Sequence, residues 1–247
     1  MLILKKYFML SFVFLVAISS SACTTLKSTD SLDSQRLSDP IEGINRSVYA
    51  FNVAADNVIL KPVAKAYRTL LPDSAERGIS RFFKNLGEPL NIANNLLQGK
   101  VDGALNSTYR FTVNSTIGLL GFLDVAKSLD VERKPEDFGQ TLAAWRVKPG
   151  PYIMLPFLGP TTLRDGAGRI IDNAALYPIN KITHSSSGRL ALTAVDNIDK
   201  RVSLLGIDDT LNNQLDPYLF LRDAYENSRI NAIYDGTPPE TVDDFDF

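Results

Sequence analysis

Apolar residues recur along most of this chain at helical spacing, and the intervals between them mark where helices start and stop. Val48, Phe51, Ala55 and Ile59 share one face of a helix that starts near Asn45 and ends before Pro62, which can open the next short helix. Asp73 and Glu76 have the spacing of a capping box, and Ala75, Ile79, Phe82 and Leu86 form the apolar face that follows, up to Gly87. From Glu88 to Gln98, Leu90, Ile92, Ala93, Leu96 and Leu97 alternate with Asn91, Asn94 and Asn95. Two readings stand for that segment: a surface helix whose amides meet water or cap backbone, or a face lining a wet cavity. Val101 to Thr116 predicts another helix, its broad and partly polar face built from Val101, Ala104, Leu105, Thr108, Phe111, Thr112 and Ser115.

Ile117 to Gly166 breaks the pattern. Gly118, Gly121, Gly139, Pro149, Gly150, Pro151, Pro156, Gly159 and Pro160 interrupt it too often for one long helix. Yet the stretch is rich in Leu, Ile, Phe and Tyr and holds the only tryptophan, Trp145. Such a segment is expected to be buried against the helices around it, or to line a site they create. Within it Tyr152, Met154 and Pro156 alternate with Ile153, Leu155 and Phe157, which permits a short extended run.

Helical spacing then returns. Ile170, Ile171 and Ala174 predict a helix closing before Pro178. Ala191, Val195, Ile198, Val202 and Leu205 give the clearest periodic segment, a core-packing helix with Asp196 and Lys200 one turn apart. Asp216 and Pro217 supply an N-cap and a first-turn proline for a helix running towards Tyr234, stopped by Gly236. The fold class is therefore all-α, mainly helical, with a short irregular or extended Gly-Pro-rich segment and no internal repeat.

The first residues read as an address. Lys5 and Lys6 precede an apolar run from Tyr7 to Ile18, then small residues Ser19 to Ala22 and the single cysteine, Cys23. A transmembrane helix needs about 20 apolar residues, so this is a signal peptide over residues 1–22. The layout is that of a bacterial lipoprotein signal, with Cys23 as the lipid attachment site, although Ser20 stands where such signals prefer Leu. Cleavage nearby, leaving Cys23 as a free thiol, is the alternative. Thr24, not Asp, follows the cysteine, which points to the outer membrane. Residues 23–38 read as the lipidated N-terminus and tether, 39–236 as the helical domain, and 237–247 as an acidic flexible tail.

The 247 residues are 45% hydrophobic and 22% charged, an ordinary globular composition. Without Lys5 and Lys6 there remain 24 basic against 28 acidic residues, a charge of -4, and nothing suggests nucleic acid. Catalytic equipment is equally thin. His184, the only histidine, sits beside Ser185, Ser186 and Ser187 in a polar run, where the serines read as a helix N-cap. One His and one Cys are too few for a typical zinc site, and no EF-hand loop occurs. Asp208 with Asp209 and Asp243 with Asp244 read as solvated charge. No enzyme activity, metal or cofactor is expected.

Several blocks, in order, carry a family likeness: DPIEGINRSVYAFN at Asp39 to Asn52, KPVAKAYRTLLP at Lys61 to Pro72, NLGEPLNIANNLLQG at Asn85 to Gly99, and RFTVNSTIGLLGFLDVA at Arg110 to Ala126. EDFGQTLAAWRVKPGPYIMLPFLGPTTLRDG at Glu136 to Gly166 and DPYLFLRDAY at Asp216 to Tyr225 complete it. Together they resemble the MlaA (VacJ) family over about residues 39 to 234. The resemblance implies a ring-shaped helical lipoprotein in the inner leaflet of the outer membrane, with a central amphipathic channel. It implies retrograde transport: mislocalised phospholipid leaves the outer leaflet for a soluble, MlaC-like periplasmic carrier, which maintains lipid asymmetry. Trimeric porins are the implied membrane partners. A hairpin bearing on the channel would fall at about Ile117 through Phe138, making Ile117, Gly118, Gly121, Phe122 and Phe138 the candidates for hairpin motion and lipid passage. The competing expectations are a porin-associated structural lipoprotein and an outer-membrane phospholipid hydrolase.

Overall fold

A computed structural model describes residues 37–175, 183 and 185–239, so Cys23, His184 and the segment around Pro178 lie outside the described residues. Helix α1, Glu42–Ala55, ends before Pro62, as its spacing predicts, but the chain keeps to a helical path. It passes through a π-helical turn, Asp56–Leu60, into α2, Lys61–Leu70. The wider turn resolves the proline problem: the Lys61 N–H reaches back to the Asp56 carbonyl, and Pro62 falls in the first turn of α2, where a missing N–H costs little.

Helix α3, Asp73–Leu86, corrects the expected capping box. Its N-cap is Pro72 and no side chain closes it, so Asp73 and Glu76 instead place negative charge in the first turn, against the helix dipole. Gly87 separates it from α4, Glu88–Leu97, and a three-residue turn leads to α5, Val101–Thr116. The last two helices come very close at Gly103, where a Cβ would stand 1.9 Å from Asn95 Oδ1. The irregular stretch that follows contains two short helices, α6, Val125–Ser128, and α7, Phe138–Ala144.

The extended run at Tyr152 finds a partner. Strand β1, Tyr152–Leu155, pairs antiparallel with β2, Gly159–Thr162, with Tyr152 opposite Thr162 and Leu155 opposite Gly159. Two asparagines two turns apart on α1 cover one edge of this hairpin. Asn45 donates to the Tyr152 carbonyl at 3.1 Å and accepts from Met154 N at 2.9 Å; Asn52 donates to the Leu155 carbonyl at 2.9 Å and accepts from Phe157 N at 2.8 Å. A helix face thus satisfies backbone groups that a third strand would otherwise pair.

Beyond the hairpin come α8, Leu163–Ala175, α9, Ser186–Ser203, a 3-10 turn at Leu205–Ile207, α10, Asp208–Asn212, and α11, Pro217–Ile233. Ser185 Oγ caps α9, accepting from Gly188 N, and Asp216 caps α11, accepting from Tyr218 N and Leu219 N at 3.1 Å each. Leu37 and Ser38, assigned to the tether, are already tied to the helical domain: Leu37 N donates to Glu226 Oε1 and Tyr152 N to the Ser38 carbonyl.

Tyr152, Met154, Tyr218 and Tyr225 form a buried aromatic cluster, with Tyr152 edge-on to both other tyrosines at 6.1 and 6.2 Å. Elsewhere the inside is polar. Among the described residues, nineteen polar or charged side chains are buried against eight apolar ones, while Ile44, Val58, Leu70, Leu105, Ile170 and Leu190 stand exposed. On α5 the predicted face is turned around: Leu105 and Val101 point outward, and the buried positions are Ala104, Ser107, Arg110 and Asn114. Helix α9 buries Asp196 and Asp199 with Val202. The central stretch is corrected in the same sense, since Leu119, Leu120, Trp145, Phe157 and Leu158 are exposed, whereas Tyr152 and Met154 are buried.

Candidate functional site

The polar faces of α4 and α5 meet the loop at 117–124 around one residue, Arg110, which is 3% exposed. Its Nη2 donates to both Asp124 oxygens at 2.9 and 3.0 Å, its Nη1 to the Val131 carbonyl, and its Nε lies 3.7 Å from Glu88 Oε1. Glu88 also accepts from Arg133 Nε and from Asn91 Nδ2, each at 2.8 Å. One turn beyond Arg110, Asn114 donates to Asp124 Oδ1 at 3.0 Å and accepts from Ala126 N at 2.9 Å. Burial by itself would raise the Asp124 carboxyl, but the hydrogen bonds from Arg110, Asn114 and Lys127 N hold it below its ordinary value.

The asparagines of α4 extend this network. Asn91 Oδ1 accepts from Glu136 N at 3.0 Å, and Asn94 accepts from Thr141 Oγ1 at 2.8 Å while donating to Asp172 Oδ1 at 3.3 Å. Neither expectation for Asn91, Asn94 and Asn95 survives. They are buried and bonded to protein: Asn91 and Asn94 join α4 to the segment at Glu136, to α7 and to α8, while Asn95 donates to the Asn91 carbonyl of its own helix at 2.8 Å. Pairing of most of its groups is what makes this polar interior tolerable, although Arg110 Nε, Asn85 Oδ1, Ser107 Oγ and Gln140 Oε1 are buried without a hydrogen-bond partner. Burial raises the Glu136 carboxyl despite donors from Gln98 and Lys100, and it raises that of Asp172 likewise.

The loop over this network carries the sequence candidates. Leu119 and Leu120 adopt left-handed φ values of 54° and 61°, strained for leucine, held by Leu120 N to Ser115 O at 3.1 Å and Gly121 N to Asn114 O at 2.7 Å. Two of the candidates are sterically required glycines. A Cβ on Gly118 would meet Leu123 O at 2.3 Å, and on Gly121, at φ 96°, would meet Asn85 Cβ at 2.4 Å. Ile117 is 67% exposed, and Phe122 stacks on Phe82 of α3 at 5.2 Å. Phe138 belongs to other surroundings: it opens α7, its N–H bonded to Asp172 Oδ2, and its ring meets Trp145 edge-on at 5.8 Å.

Sequence reasoning missed Glu88, Arg110, Asp124 and Arg133. A signal existed in Ala104, Ser107, Arg110 and Asn114, which share one helical stripe, but a stripe holding Arg and Asn reads as solvent-facing. Among the described residues, no group of His, Cys, Asp and Glu could hold a metal, and Asp208 is engaged by Arg201 and Lys61 rather than forming a pair with Asp209. No described helix is long and apolar enough to cross a membrane.

Polar groups gathered inside and large apolar side chains turned out define a class, that of helical proteins associated with lipid. The chain belongs to the MlaA lipoprotein family, which matches residues 37–232. It is 39% identical over 198 residues to the Intermembrane phospholipid transport system lipoprotein MlaA of Shigella flexneri, covering 78% of this chain and 77% of that one. Its namesake in Escherichia coli (strain K12) is 38% identical over 198 residues, with the same coverage. An uncharacterized protein of Rickettsia felis is 37% identical over 192 residues, 77% of this chain and 76% of that one. A solved chain described under "Structural basis for maintenance of bacterial outer membrane lipid asymmetry" superposes with a TM-score of 0.70 at 36% identity, covering 81% of this chain and 100% of the other. The mainly helical fold and the membrane-associated lipoprotein class stand on these matches.

Proposed function

We propose that this protein is the outer-membrane lipoprotein of a retrograde phospholipid transport system, which takes mislocalised phospholipid from the outer leaflet and hands it to an MlaC-like periplasmic carrier. It does this without covalent chemistry. The observation that carries the reading is the inverted distribution of polarity: Arg110, Glu88 and the α4 asparagines inside, leucines and isoleucines outside. An apolar exterior can rest among acyl chains while a polar passage carries a headgroup across. The relatives named for intermembrane phospholipid transport support the same reading. In this proposal Cys23 anchors the chain through acyl groups, the helices form a ring around an amphipathic channel, and trimeric porins flank it. The strained loop with Ile117, Gly118, Gly121 and Phe122 controls passage, and Phe138 lies further along the route.

The test places purified lipidated protein in liposomes with labelled phospholipid, adds the soluble carrier, and identifies by mass spectrometry what reaches it. Intact phospholipid that depends on the protein is the expected result. Lysolipid or free fatty acid would mean a hydrolase, and no transfer from a folded sample would leave a porin scaffold.

A further inference from the structure

Beneath the loop lies a small recess, deep enough for about one water molecule and open to solvent at its mouth, whose lining includes Arg81, Lys84, Arg110, Arg133, Asp124 and Gly121. Four cations face one carboxylate there, with Glu88 behind them. Arg110 is committed to Asp124 and Glu88, and Arg133 gives its Nε to Glu88, leaving its Nη groups outside that bond. Arg81 forms no ion pair with a carboxylate among the described residues, and Lys84 is exposed at the mouth, with Asp199 within its electrostatic reach. Two buried polar atoms of the lining residues have no hydrogen-bond partner: Arg110 Nε, a donor, and Asn85 Oδ1, an acceptor. Directly above, the loop presents Ile117, Leu119 and Leu120 as an exposed apolar crest.

We propose that this recess is a binding subsite for the phosphate of a lipid headgroup, an inference that rests on the transport reading above. The guanidinium and ammonium groups of Arg81, Lys84 and Arg133 around the mouth of this recess suit a phosphate's oxygens, the phosphate resting at the mouth and not inside. A phospholipid has the same juxtaposition as the protein, anion next to hydrocarbon, so the crest contacts the acyl chains while Arg81, Lys84 and Arg133 hold the head. A free phosphate ion would use only half of this surface. The excess of cations further implies a preference for lipids of net negative charge, such as phosphatidylglycerol.

Calorimetric titration of the full-length protein in non-ionic micelles tests this, with dihexanoyl phosphatidylglycerol, dihexanoylglycerol and inorganic phosphate as the three probes. Phosphatidylglycerol should bind more tightly than either of the others, and Arg81→Glu with Lys84→Glu should weaken it about tenfold. Arg77→Glu, one turn earlier on the same helix and outside the recess, should leave the affinity unchanged. Should the double charge reversal fail to fold by circular dichroism, Arg81→Gln with Lys84→Gln takes its place, with a smaller loss expected. Inorganic phosphate binding as tightly as the lipid would reduce the recess to an ion site and overturn the proposal. Equal losses in Arg77→Glu and the double variant would overturn it too, by assigning the effect to net charge. The two proposals fail separately: carrier transfer of phosphatidylglycerol that is intact in the double variant sinks the subsite alone, whereas no transfer by the unmodified protein sinks the transport reading.

Discussion

The aromatic cluster around Tyr152 and the charged cluster around Arg110 solve the same problem with opposite materials. The first packs three tyrosine rings and Met154 between a β-hairpin and α11, with hydroxyls reaching Asp39 and Asp165 at its margin. The second has no large apolar residue at its centre and holds α4, α5 and the loop together through ions and amides. The difference teaches that the first region is stable by exclusion of water and tolerates local loosening. The second depends on every partner being present, because an unpaired buried charge costs far more than a lost van der Waals contact.

Removing one partner from the charged region should have the largest effect. Glu88→Ala strips the shared acceptor from Arg133, Arg110 and Asn91, and unfolding by denaturant should show a loss of about 3–5 kcal/mol. A loss below about 1 kcal/mol would mean that water replaces the carboxylate and that the region is not dry. Next, two left-handed glycines compare the loop with the hairpin. Gly121→Ala must both keep φ 96° and push into Asn85, whereas Gly159→Ala at φ 75° meets open space. The first should cost about 2–3 kcal/mol and the second about 1 kcal/mol; equal melting temperatures would show that the loop relaxes freely.

The aromatic region should respond more mildly. Tyr225→Phe keeps the ring and removes the hydroxyl that donates to Asp165 at 2.7 Å, so about 1.5 kcal/mol should be lost, Asp165 retaining Arg164 and Arg229. Alkali then separates the regions. Burial beside Asp165 pushes the Tyr225 phenol up to about 12 from 10.0. A folded pKa raised this way contributes stability that is present below 10.0 and lost as pH rises towards 12. Near-ultraviolet circular dichroism should therefore report an alkaline transition that Tyr225→Phe displaces upward, while the guanidinium links of the other region persist. In acid, Asp124 in one region and Asp165 in the other are both held low and both lose their contribution as pH falls through their depressed values. The raised carboxyls of Glu136 and Asp172 in the charged network act in the opposite sense. The smallest stability effect belongs to the crest: Leu119→Ser with Leu120→Ser should stay within about 0.5 kcal/mol per site, yet reduce lipid transfer in the liposome assay.

Much of the element order was legible along the chain. Val101–Thr116 and the Asp216 cap with its helix stand where spacing places them, since local turn chemistry and cap geometry are written within a few residues. The loop glycines were legible as well, although what makes Gly118 and Gly121 necessary is the proximity of Leu123 and Asn85, which no local pattern states. Burial was legible least. Ala191, Val195, Ile198 and Val202 share a face, as their spacing requires, but of the four Val202 alone is fully buried, beside Asp196 and Asp199.

The sequence by itself determined the helical class, the breaks at Gly and Pro, and the family, because these rest on spacing and short motifs. Only the tertiary structure decided which face of each helix turns inward. Periodicity says that residues share a side and is silent on whether that side meets protein, water or lipid. Arg110 reaches Asp124, Glu88 and Val131, while Asn94 reaches Asp172, 78 positions away. A buried charge becomes affordable only when such distant partners arrive together, so its inward position is a property of the assembled fold.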